Sequence, residues 1–182
     1  SRNGGGWQQS DKLLANDGGP NLFFAERVGI SGTTAVVGSD GHDANAGAAY
    51  VYELENGSWQ QTTKLTAGDR APNDQFGNRV DVSGDSIVVG AFTNGIGAAY
   101  VFGRVGDQWL QEAQLAPNPP GQEFGAGVAI SNGRTVVAAP HFDFGGLTNP
   151  GGLYFYEQEQ LEACDDGNQL NTDACLTTCE VA

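Results

Sequence analysis

Residues 76–101 read FGNRVDVSGDSIVVGAFTNGIGAAYV, and a version of this stretch occurs three times in the 182-residue chain. Upstream, residues 24–51 read FAERVGISGTTAVVGSDGHDANAGAAYV; downstream, residues 124–155 read FGAGVAISNGRTVVAAPHFDFGGLTNPGGLYF. In the middle copy Phe76, Val80 and Val82 share one parity while Gly77, Arg79 and Asp81 share the other, the pattern of a strand with one buried face. Ser83-Gly84-Asp85-Ser86 suits a tight hairpin turn, because glycine takes a positive φ without penalty. Residues 87–91 are apolar throughout, as expected of a strand covered on both faces. After a loop that differs between copies, residues 98–102 read as a third strand, with counterparts at 48–52 and 153–156.

A fourth strand follows from the tryptophans. Trp59-Gln60-Gln61-Thr62-Thr63-Lys64-Leu65 and Trp109-Leu110-Gln111-Glu112-Ala113-Gln114-Leu115 resemble Trp7-Gln8-Gln9-Ser10-Asp11-Lys12-Leu13 near the N-terminus. Trp7, Trp59 and Trp109 are 52 and 50 residues apart, and Phe24, Phe76 and Phe124 are 52 and 48 apart. Four strand-like pieces at a period of about 50 residues predict propeller blades. The expected fold is all-β: three four-stranded antiparallel blades within residues 7–158, at about 24–66, 76–116 and 124–158. No Trp strand follows Tyr156, so residues 7–14 are expected to complete the last blade. Residues 1–6 read as a polar linker and residues 159–182 as an acidic Cys-rich tail.

Closed propellers have about 4–8 blades. Three copies therefore predict either a homo-oligomer, a dimer completing a six-bladed ring with residues 7–14 crossing to the partner, or further blades of a longer chain. A processed segment of a secreted precursor is expected from the Ser-Arg-Asn start, with no Met.

Net charge is -14, of which residues 157–182 contribute -7 through seven acids and no Lys or Arg. Such a surface repels phosphate and anionic lipid, which excludes nucleic acid as an expected partner. No apolar run approaches the roughly 18 residues that span a bilayer. All three cysteines (Cys164, Cys175 and Cys179) fall in the last nineteen residues. This clustering points to an oxidising compartment, secreted or at the cell surface, with the three as disulfide candidates.

The run W-x-Q-x-x-K-L, then F-G-x-x-V-x-I/V-S-G, then V-V-G-A, then G-A-A-Y-V-F resembles FG-GAP repeats of the bacterial extracellular type. The resemblance covers residues 7–156. It implies an integrin-α-like propeller, a scaffold for recognition of protein partners, without identifying one. Two departures stand out: Phe24-Ala25 replaces Phe-Gly, and Ala138-Ala139-Pro140 replaces the Gly90-Ala91 element. The repeats lack the D-x-D-x-D-G-like runs of integrin-type calcium loops. The tail, C-D-D-G-N from Cys164 and then Cys175 and Cys179, resembles the myxobacterial Cys-rich repeat of surface proteins.

Function is expected to be non-catalytic recognition, adhesion or assembly. Its binding candidates are loop residues between second and third strands: Asp40, His42, Asp43, Asn45, Phe92, Asn94, His141 and Asp143. Only two histidines exist. Solvated loop positions are the expectation for both; a converged His–Asp cluster would indicate a metal or acid–base site. The competing class is a secreted lectin or hydrolase with a carbohydrate site on the rim or in the channel, the Trp set acting as stacking platforms. Inter-blade packing is the simpler role for rings repeated at one strand position. Arg27, Arg79 and Asp81 are expected on channel-lining first strands, in structural pairs. No cofactor is expected in the blades. Asp165, Asp166, Asn168, Asn171 and Asp173 offer hard oxygen ligands suited to calcium in the tail. Asn56-Gly57-Ser58 fits the N-x-S acceptor pattern.

Overall fold

A computed structural model describes residues 6–93, 96–118, 123–141 and 150–158. They form three antiparallel sheets, each a meander in chain order. The first holds β1 (Val28–Ser31), β2 (Thr34–Ser39), β3 (Ala48–Glu55) and β4 (Ser58–Leu65). The second holds β5 (Arg79–Ser83), β6 (Ser86–Ala91), β7 (Ala98–Val105) and β8 (Gln108–Leu115). The third holds β9 (Gly127–Ser131), β10 (Arg134–Ala139) and β11 (Gly152–Glu157). These are propeller blades, as the period implied.

Register repeats from blade to blade. Val36 faces Val51 and Val88 faces Val101 across the central pair of strands. Both complete blades carry a bulge at the same place on the third strand, between Val51 and Tyr52 and between Val101 and Phe102. Asn56-Gly57 has positive φ at both residues (51° and 83°), so this dipeptide is the two-residue turn joining β3 to β4. First strands lie side by side, β1 on β5 and β5 on β9, while the fourth strands β4 and β8 barely touch. The sheets therefore converge on their first strands and splay outward.

The expected first strand begins late. Residues 76–78 lie outside the ladder, because Gly77 has φ 90° and Phe76 bridges instead to Gly47 of the preceding blade. Phe76 is fully buried there. Its ring stands edge-on to Tyr100 at 5.4 Å and Phe102 at 5.9 Å. Phe124 repeats this against Tyr154 and Tyr156, and Phe24 against Tyr50 and Tyr52. Edge-to-face pairs of this kind add about 0.5–1.5 kcal/mol beyond area burial.

Glycine in the Phe-Gly and Val-Val-Gly elements has a packing reason. A methyl group on Gly38 would overlap the carbonyl oxygen of Gly77, and one on Gly90 that of Gly125. Main chains of adjacent blades touch at these points, and no other residue fits.

The N-terminal segment departs from expectation. Residues 7–14 form no strand within the chain, and the third sheet has three strands among the described residues. The blade core explains where the segment goes. Leu13 and Ala15 pack on Tyr50 and Tyr52 of the first blade, as Leu65 and Ala67 join the cluster around Tyr100 and Phe102 of the second. The Tyr52 hydroxyl donates to the Leu14 carbonyl at 2.9 Å. Residues 13–17 thus lead into the first blade and cannot simultaneously line the third.

Candidate functional site

The loop between the second and third strands of the first blade runs beside the linker that enters the second. Asp40, His42, Asp43 and Asn45 all lie in this loop, each tied to a different partner. Asp43, Ala44 and Asn45 have φ of 50°, 56° and 62°, three left-handed residues in succession. That conformation costs roughly 1–2 kcal/mol per residue. Main-chain bonds from the next linker hold it: Asn73 N–H donates to the Ala44 carbonyl, Gln75 to Asn45 and Phe76 to Ala46. Asn45 also donates through its side chain to Asn73 Oδ1 at 3.2 Å, and Asp43 pairs with Arg70. Asp40 accepts from Asn78 Nδ2 at 2.9 Å through Oδ2, while its Oδ1 is buried without a partner.

His42 belongs to a polar cluster that the sequence pattern did not reveal. Asp17 accepts from the Tyr50 hydroxyl at 2.7 Å and from Lys64 Nζ at 2.5 Å. His42 Nε2 lies 3.2 Å from the same carboxylate and 2.8 Å from Lys64 Nζ. The Lys64 hydrogen bond, then that of Tyr50, holds the Asp17 carboxyl well below the usual carboxylate range. Burial first, and then the Asp17 hydrogen bond, pushes the Tyr50 phenol up. Burial likewise raises Tyr52 to about 12, with Asp17 adding to it.

This arrangement resembles a catalytic constellation until the second blade is compared. There Tyr100 donates to Asp69 at 2.8 Å and Gln114 to the same carboxylate at 2.9 Å. Asp17 and Asp69 each lie four residues beyond the leucine that ends a Trp segment, Leu13 and Leu65, and that spacing was the available signal. The aspartate ties the incoming linker to the third strand of each of these blades. The first blade has Lys64 where the second has Gln114, and adds His42.

Of the other expected residues, Phe92 and His141 are described and lie apart from this cluster. Phe92 is half-buried at the end of β6, and His141 is exposed and pairs with Glu123 at 2.7 Å. His42 and His141 are thus each tied within a different blade. Asn94 and Asp143 lie outside the described residues, as do Cys164, Cys175, Cys179 and the calcium candidates Asp165, Asp166, Asn168, Asn171 and Asp173. Among the described residues no group of three or more His, Cys, Asp or Glu could hold a metal ion.

Trp109 is buried beneath Arg104, whose guanidinium lies 5.7 Å from the ring and pairs with Glu53 of the first blade at 2.7 Å. Trp59 is half-buried against the Tyr50–Tyr52 cluster. Both serve packing. On the first strands, Arg79 donates to Asn78, and burial followed by the charge of Arg27 lowers its pKa. Asp81 accepts from the Ile130 amide at 2.9 Å, joining blades two and three.

No helix among the described residues is long and apolar enough to cross a membrane. A sequence search of the curated proteins finds no match. The FG-GAP repeat family model matches residues 7–52 and 59–102. Each match opens on a Trp segment and ends on the third strand of the following blade, the unit by which the linkers and their aspartates are organised. These two matches support an FG-GAP-type domain over this stretch of the chain.

Proposed function

We propose that the protein is a non-catalytic recognition or adhesion module of the cell exterior, binding a protein or glycan through the loops at residues 39–47, 92–97 and 140–151. One observation carries this. The scaffold repeats down to single hydrogen bonds, whereas the loop of residues 40–47 holds left-handed backbone with exposed Asp43 and Asn45, and differs in sequence and length from residues 92–97 of the second blade. Strain held by surrounding structure is the ordinary mark of a site under functional constraint. A rigid ring with differing loops is also a common way to build specificity. Secretion or surface display fits the Cys-rich tail, where Asp165, Asp166, Asn168, Asn171 and Asp173 would be the calcium ligands. A second copy, or further blades of a longer chain, would complete the ring.

The test is adhesion of the full chain to a panel of extracellular-matrix proteins and to a glycan array. Asp43→Ala and Asn45→Ala should weaken whichever interaction appears without lowering the melting temperature by more than a few degrees. Binding untouched by changes in all three loops, or turnover of a glycoside substrate, would overturn the proposal.

A further inference from the structure

In the second blade Trp109 fills the outer space between sheets. The corresponding space of the third blade is an open groove of about 440 Å³. Val101 and Leu115 of the second blade line one wall, and Ile130, Thr135 and Tyr156 of the third line the other. What it lacks is a fourth strand beside β11, whose outer edge is unpaired among the described residues.

Residues 7–13 have the form of that strand. Trp7 and Leu13 are six residues apart, like Trp59 and Leu65 or Trp109 and Leu115. In the complete blades the leucine lies opposite Ala49 or Ala99, and the tryptophan opposite Leu54 or Arg104. The equivalent positions on the third blade are Leu153 and Gln158, because Leu153 pairs with Ala138 as Ala99 pairs with Gly90. Gln158 also donates to Gly133 as Arg104 donates to Asp85. Trp7 is fully exposed and its segment unpaired. Its own chain cannot use it there, since Leu13 is seated on the first blade.

We propose that residues 7–13 of a second copy complete the third blade as its fourth strand. This deepens the assembly stated under Proposed function and rests on it. Strand exchange brings the partner's first blade against the back of the third, and both faces are dressed for contact. Val28 and Ile30 are 66% and 68% exposed on the front of the first blade, whereas their counterparts Val80 and Val82 are buried against a neighbour. Leu153 and Phe155 are 63% and 73% exposed on the back of the third, whereas Ala99 and Val51 at those positions are buried.

The joint is not a copy of the internal ones. Ala25 and Ala138 stand where the internal joints have touching glycines, Gly77 and Gly38 in the first of them. Their methyl groups hold the two main chains further apart, and the larger Leu153 and Phe155 fill the added width. Each copy has one front and one back, so two heterologous contacts close a six-bladed ring.

Sedimentation equilibrium of the full chain over micromolar concentrations should give twice 19.0 kDa. Ile30→Asp or Phe155→Asp should raise the dimer dissociation constant at least a hundredfold, with circular dichroism showing the sheets intact. Trp7→Ala, or excess synthetic peptide of residues 6–14, should raise it at least tenfold. A monomer at every concentration overturns both the assembly and the exchange. A dimer that yields to Ile30→Asp but ignores Trp7→Ala and the peptide overturns the exchange alone.

Discussion

Gly38 and Gly77 meet face to face where the first blade crosses onto the second: a β-carbon on Gly38 would fall well inside 3.0 Å of the Gly77 carbonyl oxygen. Gly90 and Gly125 repeat the contact at the next crossing. The obstacle in each case is main chain, which has no rotamer to yield. Gly90→Ala should therefore force the sheets apart and cost about 3 kcal/mol, the upper range for overpacking. For a domain this size that lowers the melting temperature by roughly 6–12 °C. Gly19→Ala, where a β-carbon meets only the flexible Leu22 side chain, is the control and should melt within a few degrees of wild type. A Gly90→Ala protein as stable as that control would remove the close crossing.

Much of this fold was legible because the blade is a local object. Alternation in Val80 and Val82, the Val88-Val89 pair and the Ser83-Gly84-Asp85-Ser86 turn each specify structure within a few residues. The place of residues 7–14 was not legible in the same way. A Trp-Gln-Gln segment shows that it can be a strand, but pairing needs an edge, and the matching edge on β11 lies on a blade that Leu13 cannot reach. The site was half legible. Sequence variation marked the loop of residues 40–47, but Asp17 lies in a linker 33 positions from Tyr50, and nothing local ties the two together.

Asp17 supplies a pH dependence. Its carboxyl titrates below the ordinary carboxylate value when folded, because Lys64 and Tyr50 favour the charged form. A depressed pKa contributes stability that is complete above the unfolded value, about 3.9, and is lost as pH falls below it. Urea midpoints measured from pH 7 down to pH 3 should fall more steeply for wild type than for Asp17→Asn. Parallel profiles would show that the Asp17–Lys64 bond contributes nothing, as many exposed pairs do.

Arg104 joins two blades through one side chain. It pairs with Glu53, which is 13% exposed, and covers the Trp109 ring. Arg104→Ala leaves Glu53 without its cation and uncovers the indole, for a loss of about 2 kcal/mol. Arg104→Lys keeps the charge but not the planar fork, so it should recover less than half of that. Equilibrium unfolding of the three proteins orders them. A lysine variant equal to wild type would mean that charge alone matters.

Ala44 tests whether the strain in the candidate loop is real. Its φ is 56° in a segment exposed to solvent, flanked by Asp43 and Asn45 in the same conformation. Glycine adopts that conformation freely, whereas alanine pays about 1 kcal/mol or more, against a loss of less than that from the greater freedom of unfolded glycine. Ala44→Gly should therefore leave stability unchanged or raise it by about 0.5 kcal/mol, the reverse of the usual effect of such a change. Asn45→Val, which puts a β-branched residue at φ 62°, should lower stability by about 1–2 kcal/mol. Thermal melts check the pair: an Ala44→Gly protein clearly less stable than wild type, with Asn45→Val no worse, would show that the loop relaxes into ordinary geometry in solution.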